Sequence, residues 1–454
     1  MLNVSMFRIT KELPVVVFVI FGSIIGLVFI NSKGPFAGPD MYDAHYKTAL
    51  AVATGQSFAN EKDGTRRVLV GDEDYFRSGG GKCVDITIVA TQLLEPLDSD
   101  DQDVCIASYD EKLSSNNVST KAIVAYPPMG YLPQAAGLFI GIHSGMEPIH
   151  GQTLARILNL LVYILLVALS IKLVPFGKWL LVILGLLPTS LFLASSMSPD
   201  SLNIAWSIIF IAYVIRLHQR GALMSKKQIG VVAVLGYGLF MLKVAYVPLI
   251  ILILGLSGQV LRRPLRWLLV TAIALFGSIT YLIWSKYLGS VVSSVDIGLN
   301  LNAILHNIPA AISGVMVNIL FTPYRIFETN QSIYVLLTVL VGWVIVSQVK
   351  TIKRVPINDT FDFFEKHKMQ VLGVIAAAGS LGITYVALLV TWTDVTEYGF
   401  FDIQGFQGRY TLPLLPLLLL AYYLPQKTKS KAVNARRSKA NTTTKKTRTG
   451  RISK

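Results

Sequence analysis

The chain has 454 residues, of which 53% are hydrophobic and only 15% charged, with a mean hydropathy of +0.55 and a net charge of +15. A soluble domain carries about a quarter charged residues, so that class is excluded and the fold class expected is an all-α polytopic membrane protein. The surplus of positive charge needs no nucleic acid, because lysines and arginines beside membrane helices account for it.

In chain order, apolar runs long enough to cross a hydrocarbon core of about 30 Å occur at about ten places. They cover residues 13–31, 152–173, 178–196, 201–219, 228–242, 244–261, 265–287, 332–349, 369–392 and 408–424. Arg8 and Lys11 precede the first run as in a signal peptide. The run is long and no small-residue cleavage site follows it, so it reads as an anchor.

The first connection, residues 32–151, is far longer than a simple loop and opens with "NSKGPFAGPDMYDAHYKTALAVATGQ". Asp40 can cap a helix starting at Met41, Gly55 can close it, and Asp43 and Lys47 are an i,i+4 pair of opposite sign. His45 then sits at the membrane boundary. Further on, "SGGGK" lacks the strand and the Ser/Thr of a phosphate-binding loop. "DSDDQD" lacks the glycine and glutamate of a calcium loop. Cys83 and Cys105 are the only cysteines; an oxidising compartment would permit a disulfide, and two free thiols are the alternative. The loop returns through "AYPPMGYLPQAAGLFIGIHSGMEP", an apolar, proline-broken stretch suited to the interface, with Tyr126, Tyr131 and Gln134.

Arg156 and Asn159 follow one helical turn apart at the start of the second run. "SSMSPDSLN" joins the third and fourth runs, with Asp200 one residue after a proline, as at a helix start. Lys243 separates the fifth and sixth. In the second long loop, residues 288–331, apolar residues from Leu301 to Ile319 recur at helical spacing, which predicts an amphipathic helix on the membrane surface. Arg325 lies near the end of that loop, and Arg409 and Tyr410 open the last run in "QGRYTLPLLP". Residues 426–454 are basic, contain no acid and read as a disordered tail able to lie on anionic lipid.

The lysine- and arginine-rich connections all fall on one side if the runs number ten. By the positive-inside rule that side is cytoplasmic, which gives a multi-pass protein of the cell membrane with both termini in the cytoplasm. Asp40, Asp43, His45, Tyr126, Tyr131, Gln134, Arg156, Asn159, Asp200, Lys243, Arg325, Arg409 and Tyr410 then share the opposite, extracytoplasmic face. Acids and cations gathered there suit an anionic lipid headgroup and a reaction on it.

The order of these motifs resembles the bacterial membrane proteins grouped as domain-of-unknown-function family 2142 (DUF2142). That pattern has an acidic motif, approximately P-D-E-x-x-H, after the first span, here Pro39, Asp40 and His45. It continues with Tyr126, Pro127, Tyr131, Pro133 and Gln134, then Arg156 and Asn159, Ser198 and Asp200, and Gly408, Arg409, Tyr410 and Pro413. The chain departs from it in "PDMYDAH", which lacks the glutamate and has one extra residue before His45.

The resemblance implies a GT-C-like membrane domain over residues 1–425 and a glycosyltransferase using a polyprenyl-phosphate-linked sugar and a glycan acceptor of the cell envelope. Asp43 or Asp40 would be the general base, Asp43 being favoured because Asp40 is the better cap, with His45 orienting the base or touching phosphate. Arg409, Lys243 and Arg325 would face the phosphate. Tyr410, Arg156, Asn159, Asp200, Tyr126, Tyr131 and Gln134 would line the substrate site. A divalent cation is compatible with the Asp/His group, but no metal ligand is assigned. The alternatives are a carrier or flippase for a polyprenyl-linked lipid and a non-catalytic subunit of an envelope-synthesis complex.

Overall fold

The computed structural model describes residues 2–34, 45–53, 55, 82–85, 103–106, 127–146, 148–286, 295–329 and 367–422. Asp40, Asp43, Tyr126, the 332–349 run and the basic tail lie outside them. Its helices are α1 (Leu2–Ser32), α2 (Lys47–Ala53), α3 (Leu132–His143), α4 (Pro148–Leu173), α5 (Lys178–Gly185), α6 (Pro188–Ala194), α7 (Asp200–Arg220), α8 (Lys226–Leu242), α9 (Arg263–Lys286), α10 (Ile297–His306), α11 (Ile308–Thr329), α12 (Lys368–Thr391) and α13 (Val395–Tyr398). Among the described residues three segments wind as 3-10 helix: Pro128–Tyr131, Val244–Gly255 and Gly408–Tyr422. The strands among the described residues are β1 (Lys82–Asp85) and β2 (Asp103–Ile106), an antiparallel pair in the first loop whose register sets Cys83 opposite Cys105.

Among the described residues five helices are long and apolar enough to cross a membrane: Glu12–Ser32, Ile149–Leu173, Asp200–Arg220, Arg263–Ser285 and Lys368–Thr391. A bent pair, Ile297–His306 with Ile308–Pro323, could make a sixth. The protein is therefore a multi-pass membrane protein, but the expectation of ten unbroken spans does not carry over to the described residues. The 178–196 run is two helices, because Pro188 has no amide hydrogen and drives Leu187 to an extended conformation, φ −54° and ψ 131°. Lys243, at φ −158° and ψ 111°, is extended and breaks the chain between α8 and the following 3-10 segment. Gly408–Tyr422 contains Pro413 and Pro416. At about 2.0 Å rise per residue a 3-10 segment of this size is roughly 30 Å long.

The single surface helix expected in the second long loop is also replaced by something different. α10 and α11 meet at Asn307 with a bend of 104°. Asn300 anchors the first arm, donating to the carbonyls of Leu389, Val390 and Thr393 and accepting from Val395 N. The second arm runs beside α12, where Asn318 donates to Phe401 O and Thr322 meets Tyr385 Oη at 3.0 Å.

α7 lies at the centre of the core, packed against α4, α8 and the two long 3-10 segments. Its apolar window is 78% buried, whereas that of α9 is 17% buried and presents Leu268, Leu275, Phe276 and Leu282 outward. α3 and α4 form a close helical hairpin. A Cβ at Gly137 would stand 2.3 Å from Ala155 Cα, and one at Gly141 would stand 2.7 Å from Gly151 Cα. Only glycine allows that approach, which carries Tyr131 and Gln134 at one end of α3 to the elements around the start of α7. α2 covers only the later part of the helix expected in the opening stretch, whose expected start at Met41 lies outside the described residues, and Gly55 follows it at φ 73°.

Candidate functional site at the start of α7

The turn before α7 is held by side chains from α3 and α4. Arg156 Nε donates to Ser195 O at 2.7 Å, and its other guanidinium nitrogens reach Phe29 O and Lys33 O at the end of α1. Asn159 Nδ2 donates to the carbonyls of Leu193, Ser196 and Ser198, while its oxygen accepts from Ser201 Oγ at 2.9 Å. Gln134 Nε2 donates to Met197 O and Ser198 O. Ser195 Oγ adds a bond to Gly26 O. A turn with this many outward-facing carbonyls inside a membrane protein needs such donors, since lipid offers none.

The braced turn presents Asp200 as the first residue of α7, with Ser198 Oγ accepting from its amide at 3.3 Å. The carboxylate meets two cations. Lys243 Nζ lies 3.5 Å from Oδ1 and Arg409 Nε 3.2 Å from Oδ2. The helix break at Lys243 directs that side chain to Asp200, and Arg409 comes from the first turn of Gly408–Tyr422. Tyr410 lies beneath both cations, 4.2 Å from Lys243 Nζ and 5.9 Å from Arg409 Cζ, measured to the ring centroid. Tyr246 Oη donates to Tyr410 O at 3.0 Å. Two cations and one carboxylate leave this group with one excess positive charge.

His45 stands beside the group. It is buried, and its Nδ1 lies 2.9 Å from Tyr131 Oη. Burial lowers its pKa to about 3; Asp200 opposes that shift and the charges of Arg409 and Lys243 assist it. The ring is neutral at neutral pH, so it can hydrogen-bond an anion or a hydroxyl without adding charge.

Residues up to 365 apart in the chain thus meet at one end of the helical bundle: His45, Tyr131, Gln134, Arg156, Asn159, Asp200, Lys243, Arg409 and Tyr410. Arg325 lies on α11, and the structure describes its backbone alone. Sequence reasoning missed Asn203, whose Nδ2 donates to Asp200 Oδ1 at 3.3 Å, and Tyr246. Asn203 is one helical turn from Asp200 in "SPDSLN", and that spacing was the available signal. Among the described residues no group of three or more His, Cys, Asp or Glu gathers to hold a metal ion.

The chain matches the sequence model of the family described as "Predicted membrane protein (DUF2142)" over residues 21–418, most of its length. No curated protein and no solved structure matches it.

Proposed function

The chain belongs to the DUF2142 family of membrane proteins, and from that premise we propose that it is a glycosyltransferase of GT-C type. It moves a sugar from a polyprenyl-phosphate donor to a cell-envelope glycan on the extracytoplasmic side. The end of the bundle carrying Asp200 faces outward in this reading, and both termini are cytoplasmic. The observation that supports it most is the convergence of Lys243 and Arg409 on Asp200 beside a neutral, buried His45.

In the reaction, the acceptor hydroxyl oxygen attacks the anomeric carbon while the bond from that carbon to the phosphate oxygen breaks. The electron pair leaves with the lipid phosphate, where Lys243 and Arg409 stabilise the added negative charge. The hydroxyl proton passes to Asp43 or Asp40, the general base supplied by the first loop. Asp200 holds the two cations together, and Arg156, Asn159 and Gln134 hold the turn that positions Asp200. A cytoplasmic pool of nucleotide sugars cannot serve an outward-facing site, so a lipid-borne donor suits this topology.

The test is glycan composition by mass spectrometry in cells carrying Asp40→Asn, Asp43→Asn and the double substitution. Loss of the glycan in the double variant is expected, and full glycan in that variant overturns the assignment. A second reading, a carrier for the same lipid, draws support from the helix breaks at Leu187 and Lys243, since interrupted helices recur in transporters. Reconstitution with labelled prenyl-phosphate sugars separates the two: translocation without glycosidic transfer favours the carrier.

A further inference from the structure

The polar side chains around Asp200 fall into two kinds. Asn159 uses both ends of its amide, donating to three carbonyls and accepting from Ser201. Gln134 and Asn203 use only their NH2 groups. Gln134 donates to Met197 O and Ser198 O, and Asn203 donates to Asp200 Oδ1, which fixes the orientation of each amide. Their oxygens, Gln134 Oε1 and Asn203 Oδ1, are buried with no hydrogen-bond partner, as are His45 Nε2 and Thr48 Oγ1. All four side chains are more than nine-tenths buried.

These atoms belong to one neighbourhood. His45 is bonded to Tyr131, which lies one helical turn before Gln134. Gln134 holds Ser198, two residues before Asp200, and Asn203 holds Asp200 itself. Thr48 is one turn along from His45, and α2 packs on α3 and on the 3-10 turn that carries Tyr131. Buried polar atoms in native proteins are almost always paired, and the two amide oxygens can only accept. A partner for this set must therefore bring several hydrogen-bond donors and no charge of its own to neutralise. Hydroxyl groups on a compact ring fit that description.

We propose that Gln134, Asn203, Thr48 and His45 form an uncharged hydrogen-bonding subsite for the hydroxyls of a sugar, placed beside the Lys243–Arg409 pair. The inference rests on the reading of that pair as the phosphate site. It divides recognition in two: the cations take the phosphate of the donor, and the four neutral groups read the sugar attached to it. The two amides are also where sugar identity is selected, because a hydroxyl of inverted configuration leaves an acceptor unpaired.

The experiment uses the full chain in lipid nanodiscs and measures binding of farnesyl phosphate and of farnesyl phosphate esterified to glucose, galactose, mannose or arabinose. The wild type is expected to bind at least one glycosylated probe about tenfold more tightly than bare farnesyl phosphate. Thr48→Val, which keeps the shape, and Thr48→Ala, which does not, are each expected to remove most of that preference while changing bare-phosphate binding by no more than about twofold. A wild type that prefers no glycosylated probe overturns the subsite, as does a preference that survives both substitutions, in which case the four atoms hold ordered water. Failure of the phosphate reading looks different: bare farnesyl phosphate then does not bind, or binds equally well to Arg409→Gln.

Discussion

The brace on the turn before α7 and the charge group at its first residue are adjacent in space and opposite in character. In the brace, Arg156 and Asn159 direct their donors at backbone carbonyls of the turn. In the charge group, Lys243, Arg409 and Asp200 bond to one another through side chains. A backbone carbonyl cannot leave its donor without unfolding the turn, whereas a carboxylate can share its cations with an incoming anion. Polar residues of one type therefore serve architecture in one place and, in the function proposed, chemistry beside it, and their partners decide which.

Substitutions should split along that line. Arg409→Gln is expected to lower sugar transfer by about a hundredfold or more, the scale for removing a preorganised charge from a developing anion. Its thermal unfolding midpoint should move little, because Asp200 keeps Lys243; a transfer assay beside an unfolding curve checks both. Arg156→Leu should do the reverse. It takes the side-chain donors from Ser195 O and Lys33 O and is expected to cost about 3 kcal/mol of stability, read as loss of folded protein in detergent. Arg156→Lys, with one nitrogen in place of three, should not restore it. Asn159→Ala should cost less, about 2 kcal/mol, by the same measurement.

The smallest effect is with pH. His45 has a folded pKa of about 3, below the unfolded value of 6.5. The unfolded chain therefore binds the proton first. Stability is complete above pH 6.5 and declines as pH falls from there toward 3, by about 1 kcal/mol between pH 7.5 and 5.5. Unfolding curves of the wild type and of His45→Gln at those two values check it, and the variant should lose that part of the slope.

Much of this arrangement is legible in the amino-acid sequence. Long uninterrupted apolar runs gave α1, α4, α7, α9 and α12, since a bilayer admits few other structures for such runs. His45, Asp200, Lys243, Arg409 and Tyr410 stood out because charged and polar residues at helix ends in an apolar chain need a reason. Other features were less accessible. Pro188 was visible, yet its 178–196 run is apolar enough to read as one helix. The 104° bend at Asn307 depends on Asn300 gripping carbonyls near residue 390, a contact 90 residues distant. That Arg156, Asn159 and Gln134 direct donors at backbone carbonyls was hidden as well, because such partners leave no mark in a sequence.

The central claim is that Lys243 and Arg409 form an anion site for a prenyl phosphate. Titration calorimetry of the full chain in nanodiscs with farnesyl phosphate tests it most directly. Saturable one-site binding that weakens about a hundredfold in Arg409→Gln and again in Lys243→Gln, with both variants folded, is the predicted result. Equal binding by the wild type and both variants would contradict it.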